Sequence, residues 1–98
     1  MKFMFVYILE CSDGSYYTGV TNNLELRLQQ HDAGIHPYSY TFSRRPLKIV
    51  FHQMFLSTAL AFEFETKIKK WSRAKKKALI DEHYEKLPAL SKKKFKKK

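Results

Sequence analysis

One cysteine, three glycines and three prolines are few for a chain of 98 residues. The single cysteine, Cys11, excludes an internal disulfide framework and fits a reducing compartment. No apolar run approaches the roughly 20 residues that cross a bilayer. The apolar start at residues 3–9 runs into Glu10 without a small-residue cleavage site. These absences predict a cytoplasmic protein without a membrane or a disulfide-bonded partner.

Three arrangements that mark common classes of protein are also missing. The sequence has no His or Cys cluster with metal-ligand spacing, no glycine-rich phosphate loop, and no set of Ser, His and Asp. Structural zinc modules, P-loop nucleotide hydrolases and serine hydrolases are therefore not indicated. A hydrophobic content of 44% can support a core, and the length suits one domain. We expect a monomer whose domain spans residues 1–85.

The positive charge is concentrated at the carboxyl end. Residues 1–66 carry five Lys or Arg against six acids, a net charge of −1, whereas residues 67–98 carry fourteen against three, a net charge of +11. The high positive charge of residues 67–98 favours binding to a polyanionic partner, most often nucleic acid. It is less typical of a tail that is merely solvated. Pro88 is expected to end the ordered structure, and the lysine-rich segment 86–98 to be disordered.

Two strands and a hairpin are predicted at the amino end. Both the odd- and the even-numbered residues of 3–9 are apolar, which indicates a strand buried on both faces at the centre of a sheet. Turn-forming residues at 12–15 then lead into a second strand at 16–20.

The register of this hairpin decides where two tyrosines point. A two-residue turn at Asp13-Gly14 would send Tyr7 and Tyr17 to opposite faces of the sheet. A three-residue loop with Gly14 in the left-handed region would bring both tyrosines to one face. A joint site for the two tyrosines therefore requires the longer loop or an equivalent bulge.

A first helix is predicted to begin at Asn22, and Gly34 is a natural residue to end it. Within it, Asn23, Arg27 and His31 recur every fourth residue, so they share one stripe of the helix surface. The stripe brings an amide, a guanidinium and an imidazole side by side.

The second half of the chain predicts a loop at residues 35–45, a third strand at 47–55 and two helices. Ser57 or Thr58 can cap the second helix, and Ser72 the third. We expect these apolar residues to face the core: Leu47, Ile49, Phe51 and Phe55 in the strand, Leu60, Phe64, Ile68 and Trp71 in the second helix, and Ala74, Ala78 and Leu79 in the third. The order β-β-α-β-α-α predicts an α/β fold of the α+β type, a three-stranded, mainly antiparallel sheet with flanking helices and the first strand central.

Tyr7, Tyr17 and Arg27 are separated by ten-residue steps. In spacing and residue type they resemble the GIY-YIG nuclease domain. Phe5-Val6-Tyr7 stands where the family has Gly-Ile-Tyr, and Tyr17-Thr18-Gly19 where it has Tyr-Ile-Gly. Further stretches at 13–21, 40–46 and 65–74 resemble the small, stand-alone bacterial members. The resemblance covers about residues 3–80 and implies the GIY-YIG fold.

The resemblance also implies metal-dependent hydrolysis of phosphodiester bonds. Glu65 would hold one Mg²⁺ or Mn²⁺, and Arg27 the phosphate. Tyr7 or Tyr17 would position or deprotonate the attacking water, with Tyr7 favoured as the base. A phenol titrates near pH 10, so this role needs a pKa lowered by roughly 2–3 units. His31 would protonate the leaving oxygen or contact phosphate; the alternative is a surface histidine favoured by the helix dipole.

Two choices remain open from the residues alone. Periodicity does not separate Glu63 from Glu65, which flank the apolar stripe of the second helix; the family spacing Glu-x-x-Ile-Lys selects Glu65. The loop can supply a substrate surface, with Tyr40 stacking on bases, or Tyr40 and Phe42 can pack over the sheet. The residues expected to contact nucleic acid are Asn23, Tyr40, Arg44, Arg45, Lys69 and Arg73.

The sequence departs from the family pattern at Phe5, in place of the first Gly, and at Thr18, in place of the middle Ile. The region after Glu65 also lacks an Asn that some members carry. Two hypotheses follow: a weak or structure-selective endonuclease acting on DNA rather than RNA, or a non-catalytic nucleic-acid-binding module on the same fold. A basic protein-interaction domain has no supporting motif.

Overall fold

A computed structural model describes residues 3–89. The elements in chain order are β1 (Met4–Glu10), β2 (Tyr16–Thr21), α1 (Leu24–Ala33), a 3₁₀ turn (Phe42–Arg44), β3 (Lys48–Phe55), α2 (Thr58–Lys69) and α3 (Arg73–Ala89). The sheet order is β2-β1-β3, with β1 central and both pairings antiparallel. The predicted fold class, the element order and the central position of the first strand are confirmed.

The β1–β2 hairpin has the three-residue loop that a joint tyrosine site requires. Gly14 adopts φ 85°, and its N–H donates to the carbonyl of Cys11 at 2.9 Å. In the resulting register, Leu9 lies directly opposite Tyr17. Because Tyr7 is two residues before Leu9, Tyr7 and Tyr17 project from the same face of the sheet.

The hydrophobic core lies on the other face of the sheet, under α2 and α3. Its buried members are Val6, Ile8, Phe51, Ala61, Ile68 and Ile80. β1 is buried on both faces, as predicted: residues 6–9 are each 1% exposed or less. The central strand therefore separates a mainly apolar layer from the layer that contains Tyr7.

β3 contains an irregularity that the sequence pattern did not predict. Leu9 is paired with Ile49, but the preceding residue, Ile8, is paired with Phe51, so Val50 is an extra residue in β3. Since neighbouring residues of β1 point to opposite faces, Ile49 and Phe51 do so as well. The expectation that they share one face is wrong because it assumed an uninterrupted period of two.

The helix ends follow the predicted capping chemistry with one shift. The side chain of Asn23 accepts the N–H of Leu26, so α1 begins one residue later than the expected start at Asn22. Gly34 ends α1 with φ 67°. Ser57, one of the two residues considered, caps α2.

The faces of α2 and α3 differ from the predicted ones. Leu60 is 55% exposed, whereas Ala61 is fully buried. A small side chain at the contact lets the helix backbone approach the sheet, and the rotation this requires turns Leu60 outward. In α3, Ala74 and Ala78 are exposed, and Ile80 joins the core instead. The two alanines add little apolar area, so the larger side chain decides which face is buried.

The carboxyl end was predicted to become disordered. α3 is described as far as Ala89, and the expected end of order at Pro88 falls at this limit. Residues 90–98 lie outside the described residues, so the domain boundary and the disordered tail stay predictions. Among residues 3–89, no helix is long and apolar enough to cross a membrane.

Candidate active site

Tyr7 lies across the backbone of the neighbouring strand and is fully buried. A Cβ at position 19 would stand only 2.5 Å from Cζ of Tyr7, so Gly19 leaves the space that the ring occupies. This is a steric requirement, because no other residue lacks a Cβ. The glycine of the second motif therefore fixes where the tyrosine of the first motif can lie.

His31 connects this tyrosine to the loop after α1. Its Nε2 is 3.0 Å from the hydroxyl of Tyr7, and its Nδ1 is 3.0 Å from Oγ1 of Thr41. Oγ1 of Thr41 is in turn 3.1 Å from Oγ of Ser39. His31 is 7% exposed, so it is not the helix-surface histidine of the alternative interpretation.

Tyr7, Tyr17 and His31 form what we call the ring cluster. The ring centroids are 6.4 Å apart for the two tyrosines, 6.0 Å for Tyr7 and His31, and 5.4 Å for Tyr17 and His31. Both pairs with His31 have an edge-to-face geometry, which aromatic rings favour. Two strands and one helix thus converge on a single point.

The ring cluster continues outward through Tyr40. The rings of Tyr17 and Tyr40 are stacked, with centroids 6.1 Å apart and planes inclined by 20°. Cζ of Arg44 lies 3.8 Å from the centroid of Tyr40. Tyr40 remains 43% exposed, so its ring packs against the protein and is also open to solvent. Packing of Tyr40 against the sheet is thus observed, and stacking of Tyr40 on bases stays a prediction.

The electrostatic surroundings of Tyr7 show which charges lie near its hydroxyl. Burial, followed by the neighbouring Tyr17, raises the pKa of Tyr7 to about 12, while the Arg27 guanidinium acts to lower it and the Glu65 carboxylate to raise it. Arg27 and Glu65 therefore act at the same hydroxyl as the ring cluster. The shift is opposite to the one a tyrosinate base needs, so Tyr7 is a neutral phenol near pH 7 in this environment.

The imidazole of His31 is also neutral near pH 7. Burial lowers the pKa of His31, and the positive charges of Arg27 and His36 lower it further, against a small opposing effect of Asp32. A neutral imidazole has one donor and one acceptor nitrogen. His31 can therefore accept a proton at one nitrogen while it donates one at the other.

Glu65 is the buried glutamate of α2. It is 9% exposed, whereas Glu63 is exposed. The metal-binding role that the family spacing gives to Glu65 stays a prediction. Oε2 of Glu65 lies 3.5 Å from Nζ of Lys69, one turn later. The ammonium shows that a cation can reach this carboxylate, although the lysine itself is 62% exposed.

A metal at Glu65 would depend on the substrate. Among the side chains that the structure describes, those of residues 3–82, no group of three or more His, Cys, Asp or Glu could hold a metal ion. A single carboxylate suits Mg²⁺ or Mn²⁺, because such ions keep several waters and take phosphate oxygens as ligands. It does not suit a closed zinc site.

The predicted nucleic-acid contacts all have partners within the protein. Arg44 bonds to Asp13 at 3.0 Å and to the carbonyl of Tyr40 at 2.8 Å. Arg45 donates to the carbonyls of Phe42 at 2.9 Å and Asp32 at 3.1 Å. These two arginines therefore hold the shape of the loop.

The remaining predicted contacts are similarly engaged. Arg73 donates twice to the carbonyl of Gly14, at 3.0 and 2.8 Å, and lies 4.9 Å from the centroid of the Tyr16 ring. Asn23 caps α1, and Lys69 is paired with Glu65. Contact of these residues with nucleic acid stays a prediction, since it would require them to share or leave these partners.

Three residues of the site, Thr41, Ser39 and Gly19, could not be given a role from the sequence. Thr41 is 1% exposed although it lies in a loop, and its hydroxyl is bonded to His31. A single polar residue next to Tyr40 has no periodicity that could indicate such a partner. Gly19 could have been singled out from the sequence, because it is the last residue of the Tyr17-Thr18-Gly19 motif.

A profile of the GIY-YIG catalytic domain matches residues 3–78. The chain belongs to the GIY-YIG family. Among similar proteins, a UPF0213 protein from Syntrophus aciditrophicus is 48% identical over 83 residues, which cover 85% of this chain and 95% of the relative. A UPF0213 protein from Bacillus pumilus is 40% identical over 78 residues, covering 80% of this chain and 79% of the relative.

Two solved structures are also similar to this GIY-YIG protein. The solution structure of a UPF0213 protein from Bacillus halodurans is 37% identical, with a TM-score of 0.57. The match covers 93% of this chain and 99% of the B. halodurans chain. A solution structure of a protein from E. faecalis is 31% identical, with a TM-score of 0.58. The match covers 99% of this chain and 97% of the E. faecalis chain. Both similarities span nearly the whole fold.

Proposed function

We propose that this GIY-YIG protein is a metal-dependent endonuclease that hydrolyses phosphodiester bonds in DNA, with structure-selective or weakly specific action. The observation that carries the proposal is the convergence at one hydroxyl: Tyr7 is bonded to His31, packed against Tyr17, and acted on by the charges of Arg27 and Glu65. Binding of nucleic acid alone does not need a buried carboxylate beside a guanidinium and a tyrosine.

Arg27 is the residue that would hold the scissile phosphate. A guanidinium is always charged and presents a planar fork of donors that matches two phosphate oxygens. Its charge already acts on Tyr7 and His31. A phosphate held by Arg27 would therefore lie near both side chains.

Tyr7 would orient the attacking water and take its proton. In the present environment Tyr7 is a neutral phenol, so it must first lose its own proton. His31 Nε2, at 3.0 Å, is the neighbouring acceptor. Tyr17, which packs against Tyr7, would form a hydrogen bond to the same water or to the phosphate.

Glu65 would hold the Mg²⁺ or Mn²⁺ ion. When bound, such an ion neutralises developing charge on the phosphoryl oxygens and lowers the pKa of a bound water. Lys69 must move away from Glu65 for this to happen, and a nearby phosphate would be its new partner. Binding of the metal and of the substrate would then be coupled.

The partner is proposed to be DNA rather than RNA, and the protein to act as a cytoplasmic monomer. The excess of Lys and Arg in residues 67–98 supports a polyanionic partner without base-specific contacts. Such binding should weaken steeply with salt.

A second candidate is a non-catalytic nucleic-acid-binding module. The observations that favour it are the neutral state of Tyr7, which is then not a base, and the pairing of Glu65 with Lys69, which gives the carboxylate a cationic partner within the protein.

The deciding experiment compares the wild type with Glu65→Gln and with Glu63→Gln as the matched control, since Glu63 is exposed on the same helix. Labelled single-stranded, duplex, flapped and branched DNA, and single-stranded RNA, are incubated with Mg²⁺, Mn²⁺ or EDTA. We expect metal-dependent nicking of DNA that Glu65→Gln reduces about 100-fold or more while binding persists and Glu63→Gln remains active.

Other outcomes would decide against the proposal. Equal binding by all three proteins, with no cleavage of any substrate, would establish the binding module. Cleavage that survives Glu65→Gln would remove Glu65 from the mechanism. Cleavage of RNA alone would overturn the assignment of DNA as the substrate.

A further inference from the structure

The Tyr7 hydroxyl has no direct contact with solvent. Tyr7 is fully buried, His31 is 7% exposed and Thr41 is 1% exposed. If Tyr7 is to act as a base, its own proton must first leave through neighbouring side chains, and its hydroxyl must become accessible to the attacking water when the substrate binds. A series of three hydrogen bonds leads from Tyr7 through His31 and Thr41 to Ser39.

We propose that Thr41 and Ser39 complete a proton path from the Tyr7 hydroxyl, through His31, to the surface of the loop, and that Thr41 fixes the tautomer of His31. The three links are 3.0, 3.0 and 3.1 Å long, all within hydrogen-bonding range. Ser39 is partly exposed and is the outer end of the path. The role assigned to Tyr7 rests on the proposed function, but the path itself does not.

The proposed path defines a resting arrangement. Tyr7, as a neutral phenol, is the donor to Nε2 of His31, which places the hydrogen of the neutral imidazole on Nδ1. Nδ1–H then donates to Oγ1 of Thr41, and the hydroxyl of Thr41 donates to Oγ of Ser39. Each of these hydroxyls accepts one hydrogen bond and donates one, so the whole path points toward solvent.

Transfer along the path conserves every proton. The O–H bond of Tyr7 breaks as N–H forms at Nε2, and Nδ1–H passes its proton to Thr41. The hydroxyl proton of Thr41 moves to Ser39, which releases its own proton to water. The net result is a tyrosinate, a neutral His31 in the other tautomer, and one proton in solution.

The charges around the path are compatible with this direction. Arg27 faces Tyr7 and His31, and its positive charge favours a tyrosinate over a second cation at His31. His36 acts on His31 in the same sense, and Asp32 opposes them. Glu65 disfavours the tyrosinate. Passing the proton onward through Thr41, instead of storing it on His31, avoids an imidazolium beside Arg27.

The side chain of Thr41 can be tested without any assay of activity. Nuclear magnetic resonance on the full chain, with ¹⁵N-labelled histidine and ¹³Cζ-labelled tyrosine, reports the tautomer of His31 and the exchange rate of the Tyr7 hydroxyl. The variants are Thr41→Val, which keeps the shape and removes the hydroxyl, Thr41→Ser, which restores the hydroxyl, and Ser39→Ala. Thr66→Val, at an exposed position of α2, is the matched control.

We expect the Nδ1–H tautomer of His31 in the wild type. Thr41→Val should give a mixture of tautomers and slow exchange of the Tyr7 hydroxyl by about tenfold or more, because the path is cut between His31 and the loop. Thr41→Ser should restore both properties. Ser39→Ala should slow exchange by only about threefold, since water can replace a partly exposed hydroxyl.

An unchanged tautomer and exchange rate in Thr41→Val would overturn the proposal, as would a larger effect of Ser39→Ala than of Thr41→Val. If Thr41→Val does not fold, unchanged exchange in Ser39→Ala would decide against the path. Nuclease assays then separate the two proposals. Loss of kcat in Thr41→Val with rescue by Thr41→Ser supports both, whereas slowed exchange in a protein that cleaves nothing supports the path and rejects the proposed function.

Discussion

Ile8 and Tyr7 are adjacent in the central strand and are both fully buried, but on opposite faces of the sheet. Ile8 belongs to an apolar cluster under α2 and α3. Tyr7 belongs to a layer of rings and hydroxyls, where each contact has a fixed direction. The apolar face stabilises the fold because it removes apolar surface area from water. On the polar face, directed hydrogen bonds and ring contacts fix the positions of a few side chains. Substitutions on the two faces should therefore have different consequences.

The largest effect on stability is expected on the apolar face. Ile8→Ala should lower the free energy of unfolding by about 2–5 kcal/mol, since it leaves a cavity in the core. Urea denaturation measures the change. Leu56→Ala, at a residue that is 65% exposed, is the control and should change stability by less than about 0.5 kcal/mol. Similar losses in both variants would contradict the assignment of this face as the core.

On the polar face, the largest effect should be on rate. Tyr7→Phe should reduce DNA cleavage by about 100-fold or more, as expected for the loss of a general base. The free energy of unfolding should fall by only about 1 kcal/mol, because His31 loses one hydrogen bond. Cleavage kinetics and denaturation are measured together, with Tyr38→Phe as the control at a fully exposed tyrosine. Full activity in Tyr7→Phe would exclude Tyr7 as the base.

A third substitution tests an exception on the apolar face. Thr18 lies opposite Ile8, is 3% exposed, and its hydroxyl has no hydrogen-bond partner within the described part of the chain. Thr18→Val keeps the shape and removes a buried unsatisfied hydroxyl, so it should stabilise the protein by about 1 kcal/mol. Thermal denaturation gives the sign. Thr41→Val should instead destabilise, since that hydroxyl is bonded, and the same sign in both variants would refute this distinction.

The smallest effect is expected at the ion pair beside the polar face. Lys69→Met should strengthen binding of Mn²⁺ by about two- to fivefold, because a partly exposed pair is worth at most about 1 kcal/mol. Electron paramagnetic resonance of free Mn²⁺ measures the affinity, and Lys70→Met, on the neighbouring exposed lysine, is the control. An equal gain in both variants would indicate a general charge effect, with no special competition at Glu65.

The contrast between the faces also explains how much could be predicted from the sequence. The hairpin register followed from Gly14 and from the condition that Tyr7 and Tyr17 cooperate. The buried strand followed from hydrophobicity, whereas the role of Glu65 was taken from the family spacing and stays a prediction. The bulge at Val50 and the outward turn of Leu60 could not be predicted, since backbone irregularity and helix rotation depend on packing between distant elements.

The polar face was harder to predict for another reason. The link from His31 to Thr41 joins a helix to an irregular loop, and hydrogen bonds of this kind leave no periodic trace in a sequence. The tyrosine spacing indicated that a site exists, but it could not indicate the partner of His31. The free energy of such a site lies in a few directed contacts, which the sequence pattern does not record.

The β1–β2 turn has a consequence for how the protein can move. Asp13 is bonded to Arg44 from the loop, and the carbonyl of Gly14 is bonded twice to Arg73 at the start of α3, 59 residues away. The β1–β2 turn thus joins three parts of the protein through hydrogen bonds: the strand that carries Tyr17, the loop that carries Thr41, and the first turn of α3. A displacement of the first turn of α3 would therefore act on the β1–β2 turn through Arg73, and on the loop of Thr41 through Arg44.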